Sequence, residues 1–246
     1  MHYNKMKVIY QNILSAVSEN HKLLALLIDP EKVVIENLPS FINKVNNSVI
    51  THIFIGGSTD KNNRTKAIVK RVKQFTKLPI VLFPGDYTQL APEADGVLFL
   101  SLISGRNPEY LIEQHVQAIP LLKKMDLEII PTGYILVDGG SETAVQRVSN
   151  TQPLYQTNTD LVVHTALAGE YSGKKLIYLE AGSGAKIPVN STIIESVKKE
   201  LSIPLIVGGG IRTKEQLELA YKAGADLVVI GTAFEKDLSF FNELKK

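Results

Sequence analysis

Eight short apolar runs recur along this chain of 246 residues, and most of them are separated by stretches with helical periodicity. The runs are continuous rather than alternating, which is typical of parallel strands covered on both faces. They are LLALLID (23–29), VITHIFIGG (49–57), LPIVLFPG (78–85), ADGVLFLS (94–101), LEIIPTGYILVDG (127–139), KLIYLEAG (175–182), IPLIVGGG (203–210) and ADLVVIGTA (225–233). Eight strands with interleaved helices in a chain of this length predict an α/β fold of the (β/α)8, or TIM, barrel type.

The stretches between these runs carry apolar residues at intervals of three and four, which predicts amphipathic helices. These helices are expected within 65–77, 108–125, 157–173, 191–201 and 213–224. Gly173 stands where a glycine would end the helix before it. The N-terminal segment 1–20 also has the pattern of an amphipathic helix.

One interval between strands is too short for this scheme. Only DYTQLAPE (86–93) lies between the third and fourth runs, which leaves no room for a full helix and its two loops. We therefore expect a modified barrel whose third helix is missing or reduced to a turn. The rival fold, a doubly wound open sheet that binds a dinucleotide, needs G-x-G-x-x-G after its first strand, whereas IDPEK stands here.

Composition excludes several classes of protein. A formal net charge of +2 is too small to indicate binding to nucleic acid or to an anionic membrane surface. The absence of cysteine excludes disulfides and thiolate metal sites. No run approaches the roughly 20 apolar residues of a membrane span. We expect one domain over residues 1–246, since no linker interrupts the pattern, and a cytoplasmic location.

Three of the last strands end in glycine, in YLEAGSG (178–184), VGGGIRT (207–213) and VIGTA (229–233). Glycines allow backbone N–H groups to approach an anion closely, and the loops after strands seven and eight are the usual phosphate site of a TIM barrel. Ser183 and Thr232 would add hydroxyl donors. The alternative is that these glycines only make tight turns, but three such loops together favour phosphate binding.

Tyr178 and Glu180 lie on one side of strand six, with Leu179 opposite, because side chains alternate along a strand. If that side is the barrel interior, both point toward the mouth, where Glu180 could accept a hydrogen bond or a proton from a hydroxyl of a phosphate monoester. The alternative is a buried carboxylate paired with a cation inside the barrel.

A second acidic position follows strand one. Asp29 ends LLID, and the next strand ends in a loop that offers Ser58 and Asp60. A carboxylate and a hydroxyl suit a loosely held Mg²⁺, which prefers few protein ligands besides phosphate oxygens and water. Spacing alone leaves open a different role for Asp29, as a cap before Pro30. The five histidines have no i, i+4 pair, and His115 and His164 are expected at ordinary helical positions.

Together these residues resemble the geranylgeranylglyceryl phosphate synthase family, which includes the bacterial heptaprenylglyceryl phosphate synthases. The likeness covers nearly the whole chain. It is carried by LIDPEK (27–32), FIGGSTD (54–60), LFPGD (82–86), FLSLISGRNPEYLI (99–112), PTGYILVDGG (131–140), YLEAGSGA (178–185), VGGGIRT (207–213) and ADLVVIGTA (225–233). Members adopt a TIM barrel in which an extended segment replaces one helix. The family joins sn-glycerol 1-phosphate to an all-trans prenyl diphosphate through an ether bond.

The resemblance implies specific site residues. Those that would bind sn-glycerol 1-phosphate are Tyr178, Leu179, Glu180, Ala181, Gly182, Ser183, Gly184, Gly209, Gly210, Gly231 and Thr232. Asp29 and Ser58 match the family's Mg²⁺ positions, which favours the metal over the cap for Asp29. Glu180, with Tyr178 beside it, is the expected catalytic group.

The chain also departs from the commoner family pattern. Many members carry a lysine two residues before the first Asp, where this chain has Leu27. That places it in the second branch of the family, which tends to form larger homo-oligomers. Geranylgeranyl diphosphate is the expected prenyl substrate, and heptaprenyl or another length is the alternative.

The prenyl tail needs an apolar groove. Residues near strand ends that could line it are Phe83, Pro84, Leu100, Ile103 and Tyr134, although each would also suit the barrel core. Two other functions remain open from the residues alone. One is a different phosphate-handling barrel enzyme, such as a sugar-phosphate isomerase or lyase, and the other is a protein that binds a phosphate ligand without catalysis.

Overall fold

The computed structural model describes residues 8–231 together with Phe241 and Leu244. Eight parallel strands pair in chain order, and the last pairs with the first, so the sheet closes into a barrel. The strands are β1 (Leu23–Ile28), β2 (His52–Gly57), β3 (Ile80–Pro84), β4 (Gly96–Leu102), β5 (Glu128–Leu136), β6 (Leu176–Glu180), β7 (Leu205–Gly208) and β8 (Leu227–Ile230). The predicted barrel and its eight strands are confirmed.

The helices of the described residues include all those expected from the periodicity. They are α1 (Ile9–Ser18), α2 (Leu38–Asn46), α3 (Thr65–Lys73), α4 (Gln114–Leu122), α5 (Ala144–Ser149), α6 (Thr159–Tyr171), α7 (Ser191–Glu200) and α8 (Lys214–Lys222). A π-helical turn, Glu109–Glu113, leads into α4. Gly173 follows α6 with a φ of +88°, as expected of a helix-ending glycine. Within the described ranges, no helix has both the length and the apolar character to cross a membrane.

The barrel is asymmetric at the interval between β3 and β4. Residues 85–95 contain no helix, so the prediction of a missing third helix is confirmed. The two strands pair only through Val81 with Gly96 and Leu82 with Val97, near the start of each strand. Because their later residues do not pair, β3 and β4 separate toward their C-terminal ends, which is the end of a TIM barrel where active sites lie.

The apolar core has two layers. The inner layer fills the barrel and includes Phe54, Leu98 and Tyr178, whereas the outer layer, between strands and helices, includes Ile55 and Leu179. This arrangement explains why the strand sequences are continuously apolar. Successive side chains along a strand enter different layers, and both layers are apolar.

Helix α1 closes the N-terminal end of the barrel. Ile9 and Ile13 are buried in the inner layer. No side chain of the preceding residue caps this helix. Instead, the buried carboxylate of Glu128, at the start of β5, accepts hydrogen bonds from the backbone N–H groups of Ile9 (2.7 Å) and Tyr10 (2.9 Å). A carboxylate is well suited to this place, because the N-terminus of a helix carries partial positive charge.

We predict that Glu128→Ala lowers the free energy of unfolding by about 2–4 kcal/mol, because it leaves two largely buried N–H groups of α1 without an acceptor. Chemical denaturation would measure the loss. Glu195→Gln, on an exposed position of α7, is the matched control and should change little. Equal stability of the two variants would contradict the role given to Glu128.

Candidate active site

The C-terminal ends of the strands surround a polar cavity, as the position of TIM-barrel sites requires. Its walls come from the loops after β1, β2, β6 and β7, together with residues of α5 and the end of β8. Lining residues with polar or charged side chains are Asp29, Glu31, Lys32, Ser58, Thr59, Tyr134, Glu142, Arg147, Tyr178, Glu180, Ser183 and Arg212. Gly182, Gly184, Gly209, Gly210 and Gly231 complete much of the remaining wall.

Glu180 and Tyr178 point into the barrel, as predicted from strand alternation. Both side chains lie against Gly208 of β7, where an added Cβ would stand 2.4 Å from the Tyr178 hydroxyl oxygen and 2.8 Å from Glu180 Oε2. Leu179 packs in the outer layer. The two polar ends therefore sit side by side at the bottom of the polar cavity.

The Glu180 carboxyl group is buried but has no cationic partner. Its Oε1 accepts a hydrogen bond from the backbone N–H of Gly182 at 2.7 Å, and the Tyr178 hydroxyl lies beside it without a hydrogen bond of regular geometry. No lysine or arginine among residues 8–231 forms an ion pair with it. The alternative of a carboxylate neutralised by a buried cation is therefore wrong for the described residues.

Burial raises the pKa of Glu180 to about 7, and the Tyr178 hydroxyl and the Gly182 N–H only partly oppose this rise. Burial also raises the pKa of the Tyr178 hydroxyl well above its usual range, with the Glu180 charge adding to the effect. Near neutral pH, Glu180 can therefore exchange a proton while Tyr178 stays protonated, which suits Glu180 to act as a general base.

Three aromatic rings lie beneath the carboxyl group. Phe83 stacks on Tyr178 with ring centroids 5.4 Å apart, and Tyr134 meets Tyr178 edge-on at 5.3 Å and Phe83 at 5.9 Å. Such ring pairs pack favourably at these separations. We call these three residues the aromatic cluster. It fixes the side chains that separate the polar cavity from the barrel interior.

The loops after β6 and β7 require glycine. Gly209 has a φ of +83°, and a Cβ there would come within 2.4 Å of Glu180 Oε1 and 2.5 Å of the Gly182 nitrogen. Gly182 has a φ of +102° and lies against Thr143 at the start of α5. Both positions need glycine so that the two loops can approach each other beside Glu180, to whose carboxyl group the Gly182 N–H donates.

Of the other predicted phosphate-site residues, Ala181 does not line the polar cavity, because its side chain is buried in the outer layer like that of Leu179. Ala181, at the start of the β6 loop, donates its backbone N–H to the Gly208 carbonyl at 3.0 Å. Ser183, Gly184, Gly210 and Gly231 line the polar cavity. Thr232 lies outside the described residues.

Arg212 was not singled out in the sequence, although it lies within VGGGIRT. Its guanidinium donates to the carbonyl oxygens of Gly184 (3.2 Å) and Ala185 (2.5 Å), and so ties the β7 loop to the β6 loop. The signal that could have found it is an arginine two residues after a glycine run, where a fork of donors can hold adjacent carbonyls.

Asp29 and Ser58 both line the polar cavity, just after the ends of the neighbouring strands β1 and β2. The Asp29 carboxylate lies against Gly57, at 3.4 Å from where its Cβ would be. Asp29 Oδ1 accepts from the Glu31 N–H at 3.0 Å, so it does cap a local turn, but helix α2 begins only at Leu38. Asp60 points away from this place, since its carboxylate accepts from the N–H groups of Arg64 and Thr65 at the start of α3.

The oxygen donors of Asp29 and Ser58 are compatible with Mg²⁺. A carboxylate and a hydroxyl are hard oxygen donors, and Mg²⁺ often takes one or two protein ligands with the rest from water and phosphate. Within the described part of the chain there is no cluster of three or more His, Cys, Asp or Glu side chains that could form an all-protein metal site. The site therefore suits a metal that arrives with a phosphate ligand.

Two further charged residues near Asp29 were not among the site residues predicted from the sequence. The Lys32 ammonium lies 3.1 Å from Asp29 Oδ2 and 3.4 Å from Ser183 Oγ. Glu31 turns the other way and accepts from the Thr59 hydroxyl and the Lys61 N–H, which joins the loops after β1 and β2. Both residues are in the quoted LIDPEK, but the contacts join distant segments that spacing does not relate.

An apolar cavity adjoins the polar one and runs into the gap between β3 and β4. It is lined by the separated ends of these strands, the segment 85–90 and the inward face of α4. Its apolar side chains are Phe83, Pro84, Tyr87, Leu90, Val97, Leu98, Phe99, Leu100, Leu102, Tyr110, Ala118, Leu122, Tyr134, Val145 and Val148. The two cavities share Gly57, Ser58, Phe83, Tyr134 and Val145, so they lie side by side with these residues between them.

Four of the five residues expected to line an apolar groove do so, and one does not. Phe83, Pro84, Leu100 and Tyr134 line the apolar cavity. The prediction for Ile103 is wrong. This residue lies beyond the end of β4, and its side chain packs in the outer layer against Gly133 and Gly169.

The two histidines expected at ordinary helical positions lie on helices, His115 on α4 and His164 on α6. His115 stacks on Phe99, and its Nε2 is 2.7 Å from the Leu100 carbonyl oxygen. It therefore lines the apolar cavity with its ring nitrogen already hydrogen-bonded.

Comparison with known proteins places the chain among relatives with the same architecture. A geranylgeranylglyceryl phosphate synthase of Zunongwangia profunda is 59% identical over 230 residues, covering 94% of this chain and 98% of that protein. The synthase of Flavobacterium johnsoniae is 55% identical over 237 residues, covering 96% and 98%. The synthase of Pyrococcus furiosus is 40% identical over 229 residues, covering 93% and 90%.

A solved structure agrees with these relatives. The (S)-3-O-geranylgeranylglyceryl phosphate synthase of Thermoplasma acidophilum, in complex with its substrate sn-glycerol-1-phosphate, superposes with a TM-score of 0.89 at 33% identity, covering 95% of this chain and 94% of the other. The PcrB family matches residues 16–246. The matched span and the identities to curated relatives together show that this chain belongs to the PcrB family.

Proposed function

We propose that the chain is a prenyltransferase that joins sn-glycerol 1-phosphate to a prenyl diphosphate and releases diphosphate. The observation that carries this proposal is that a polar and an apolar cavity lie side by side and share Gly57, Ser58, Phe83, Tyr134 and Val145. A phosphate monoester suits one cavity and a long hydrocarbon the other. The names of the relatives, and the substrate in the Thermoplasma complex, support the same reaction.

Glycerol phosphate would enter the polar cavity with its phosphate against the loops after β6 and β7. There Gly182, Gly184, Gly209 and Gly210 carry no side chains, and Ser183 adds a hydroxyl. The other end of this small molecule would reach Tyr178 and Glu180. Fixing both ends orients one hydroxyl toward the junction of the two cavities, which lowers the entropic cost of the reaction.

Glu180 would accept the proton of the attacking hydroxyl. The hydroxyl oxygen forms a bond to C1 of the prenyl group, the bond from C1 to the diphosphate oxygen breaks with its electron pair on the diphosphate, and the hydroxyl proton passes to the Glu180 carboxylate. Its pKa of about 7 places the proton transfer in a useful range. The protonated Tyr178 hydroxyl, which lacks a regular partner in the described part of the chain, can donate to a substrate oxygen.

Asp29 and Ser58 would hold Mg²⁺ beside the diphosphate, where the metal would offset the charge that develops on the leaving group. Both residues line the polar cavity, and Ser58 also lines the apolar cavity. The chain's own contribution here is a pair of oxygen donors on adjacent strand ends, held against Gly57.

The apolar cavity would receive the prenyl tail, with Phe83 and Tyr134 at its inner end. Geranylgeranyl diphosphate is the proposed donor, in line with the names of the relatives, and a heptaprenyl or other chain remains the alternative. A homo-oligomer and a cytoplasmic location stay predictions.

The reaction is tested with radiolabelled sn-glycerol 1-phosphate, prenyl diphosphates of several lengths and Mg²⁺, followed by extraction into organic solvent. Label in the organic phase supports prenyl transfer, and the length that reacts best identifies the donor. Binding of glycerol phosphate without any extractable product would favour a non-catalytic binding protein. Conversion of a sugar phosphate instead would favour another barrel enzyme.

We predict that Glu180→Gln lowers prenyl transfer by about two to four orders of magnitude, because the amide cannot accept the hydroxyl proton. The Kd for glycerol phosphate should change little, since the amide keeps the shape of the side chain. Single-turnover rates and equilibrium titration would separate these effects. Glu200→Gln, at an exposed position, is the control. Near-normal turnover of Glu180→Gln would remove Glu180 from the chemistry.

The buried Glu180 should also cost stability when it ionises. The unfolded chain releases this proton near the ordinary pKa of 4.5 and the folded chain near 7, so the unfolded state binds fewer protons between these values. Raising the pH through this window destabilises wild type by up to about 3 kcal/mol. Relative to wild type, Glu180→Gln should therefore be more stable at about pH 8 than at about pH 5. Denaturation at both pH values measures the difference, and a pH-independent difference would contradict the raised pKa.

We predict that Asp29→Asn raises the Mg²⁺ concentration needed for half-maximal activity by about tenfold or more, because a neutral amide is a weaker ligand. The variant keeps an oxygen that can accept from the Glu31 N–H, so the local turn should persist. Asp126→Asn, at an exposed position before β5, serves as control. An unchanged Mg²⁺ titration would leave Asp29 only the capping role.

A further inference from the structure

The cations of the polar cavity are engaged in different ways. Among the described residues that line it, the cations are Lys32, Arg147 and Arg212. Arg212 holds the carbonyls of the β6 loop, and Arg147 pairs with Glu142 at 3.1 Å. Lys32 instead pairs with Asp29, the residue proposed to hold the metal. Binding of a metal to Asp29 would thus compete directly with the Lys32 contact.

The position of the Lys32 ammonium bridges two sides of the cavity. It lies 3.1 Å from Asp29 Oδ2 after β1 and 3.4 Å from Ser183 Oγ after β6. The N–H groups of Lys32 and Val33 donate to the Asp29 carbonyl, so the backbone of Lys32 is held beside Asp29. Glu31, the preceding residue, is anchored outward on Thr59. The ammonium therefore stands between the proposed metal site and the proposed phosphate loop.

The charge of the cavity makes this position important. Apart from Glu180, its described lining has three carboxylates, on Asp29, Glu31 and Glu142, which equal the three cations in number. The described lining thus carries no net positive charge to offset two multiply anionic substrates. Leu27, which lines the same cavity from the end of β1, offers none. A cation placed between the two anions would reduce their repulsion.

We infer that Lys32 binds the diphosphate of the prenyl substrate once the metal has taken its place on Asp29. The ammonium turns from Asp29 Oδ2 to an oxygen of the diphosphate on the side that faces Ser183. There it offsets the charge that the leaving group gains as the bond to C1 breaks. The inference rests on the proposed function and assigns to it a diphosphate-binding residue.

This exchange of partners predicts opposite effects of one substitution. Without substrate, Lys32 competes with a metal for the same carboxylate oxygen, so Lys32→Met should bind Mg²⁺ more tightly than wild type. With Mg²⁺ present, the same variant lacks a diphosphate contact and should bind inorganic pyrophosphate more weakly. A purely structural lysine would not separate the two affinities in this way.

The test uses the chain and its variants Lys32→Met, Lys32→Arg and Lys199→Met, the last at an exposed position of α7 as the control. Mg²⁺ affinity of the unliganded protein is measured by competition with Mn²⁺ followed by EPR. Inorganic pyrophosphate is titrated calorimetrically at saturating Mg²⁺. The KM for glycerol phosphate and kcat are measured in the extraction assay.

We expect Lys32→Met to bind Mg²⁺ about threefold or more tighter and pyrophosphate about tenfold or more weaker, with a KM for glycerol phosphate within about threefold of wild type. Its kcat should fall, and Lys32→Arg should restore most of the pyrophosphate affinity. Lys199→Met should match wild type throughout.

Unchanged pyrophosphate affinity in Lys32→Met would overturn the inference, as would a parallel weakening of Mg²⁺ and pyrophosphate. These titrations do not depend on turnover. A wild type that binds pyrophosphate through Lys32 but forms no extractable product would refute the proposed prenyl transfer and leave the Lys32 contact standing.

Discussion

The interval between β3 and β4 is too short to carry a helix, and the layout of the two cavities depends on this. Strands without a covering helix between them pair only at Val81–Gly96 and Leu82–Val97, so their later residues separate. In a regular barrel the wall would be closed here by side chains packed under a helix. Instead the gap is lined by Phe83, Leu100 and the inward face of α4, and it lies next to the polar cavity. One shortened connection thus turns a barrel mouth suited to small phosphates into one that can also take a hydrocarbon.

The polar cavity depends on which side chains surround the buried carboxyl group of Glu180. Glu180 is buried, and its neighbours are Tyr178, Gly208 and Gly209 rather than a lysine or arginine. Burial therefore raises the pKa of its carboxyl group. A cation beside it would hold the carboxylate ionised but would also compete with the substrate hydroxyl for its oxygens. The glycines bring backbone N–H groups close without adding charge. In the proposed reaction, this arrangement leaves Glu180 able to accept a proton and leaves phosphate recognition to the surrounding loops.

Much of this arrangement could be predicted from the sequence, because it follows from local patterns. The eight strands were recognisable because residues such as Phe54 and Ile55 enter two dry layers in turn. Period-two alternation was enough to place Tyr178 and Glu180 on one side. What could not be predicted depends on contacts between distant segments. Glu128 caps a helix 119 residues away, and Lys32 reaches a serine 151 residues away. The prediction that Ile103 lines the apolar groove was wrong because this residue lies beyond β4, where strand alternation no longer determines the direction of a side chain.

The aromatic cluster of Phe83, Tyr134 and Tyr178 connects these two halves. Phe83 and Tyr134 line both cavities, and Tyr178 carries the hydroxyl beside Glu180. The rings contact one another at centroid distances of 5.3 to 5.9 Å, so a shift of one ring would disturb the packing of the others. The depth at which a prenyl C1 could sit is therefore coupled to the position of the base. A hydroxyl held by Glu180 and a carbon resting on Phe83 would meet at the boundary of the polar and apolar cavities, where water has little access from the hydrocarbon side. That placement favours attack by the bound hydroxyl over hydrolysis of the allylic diphosphate.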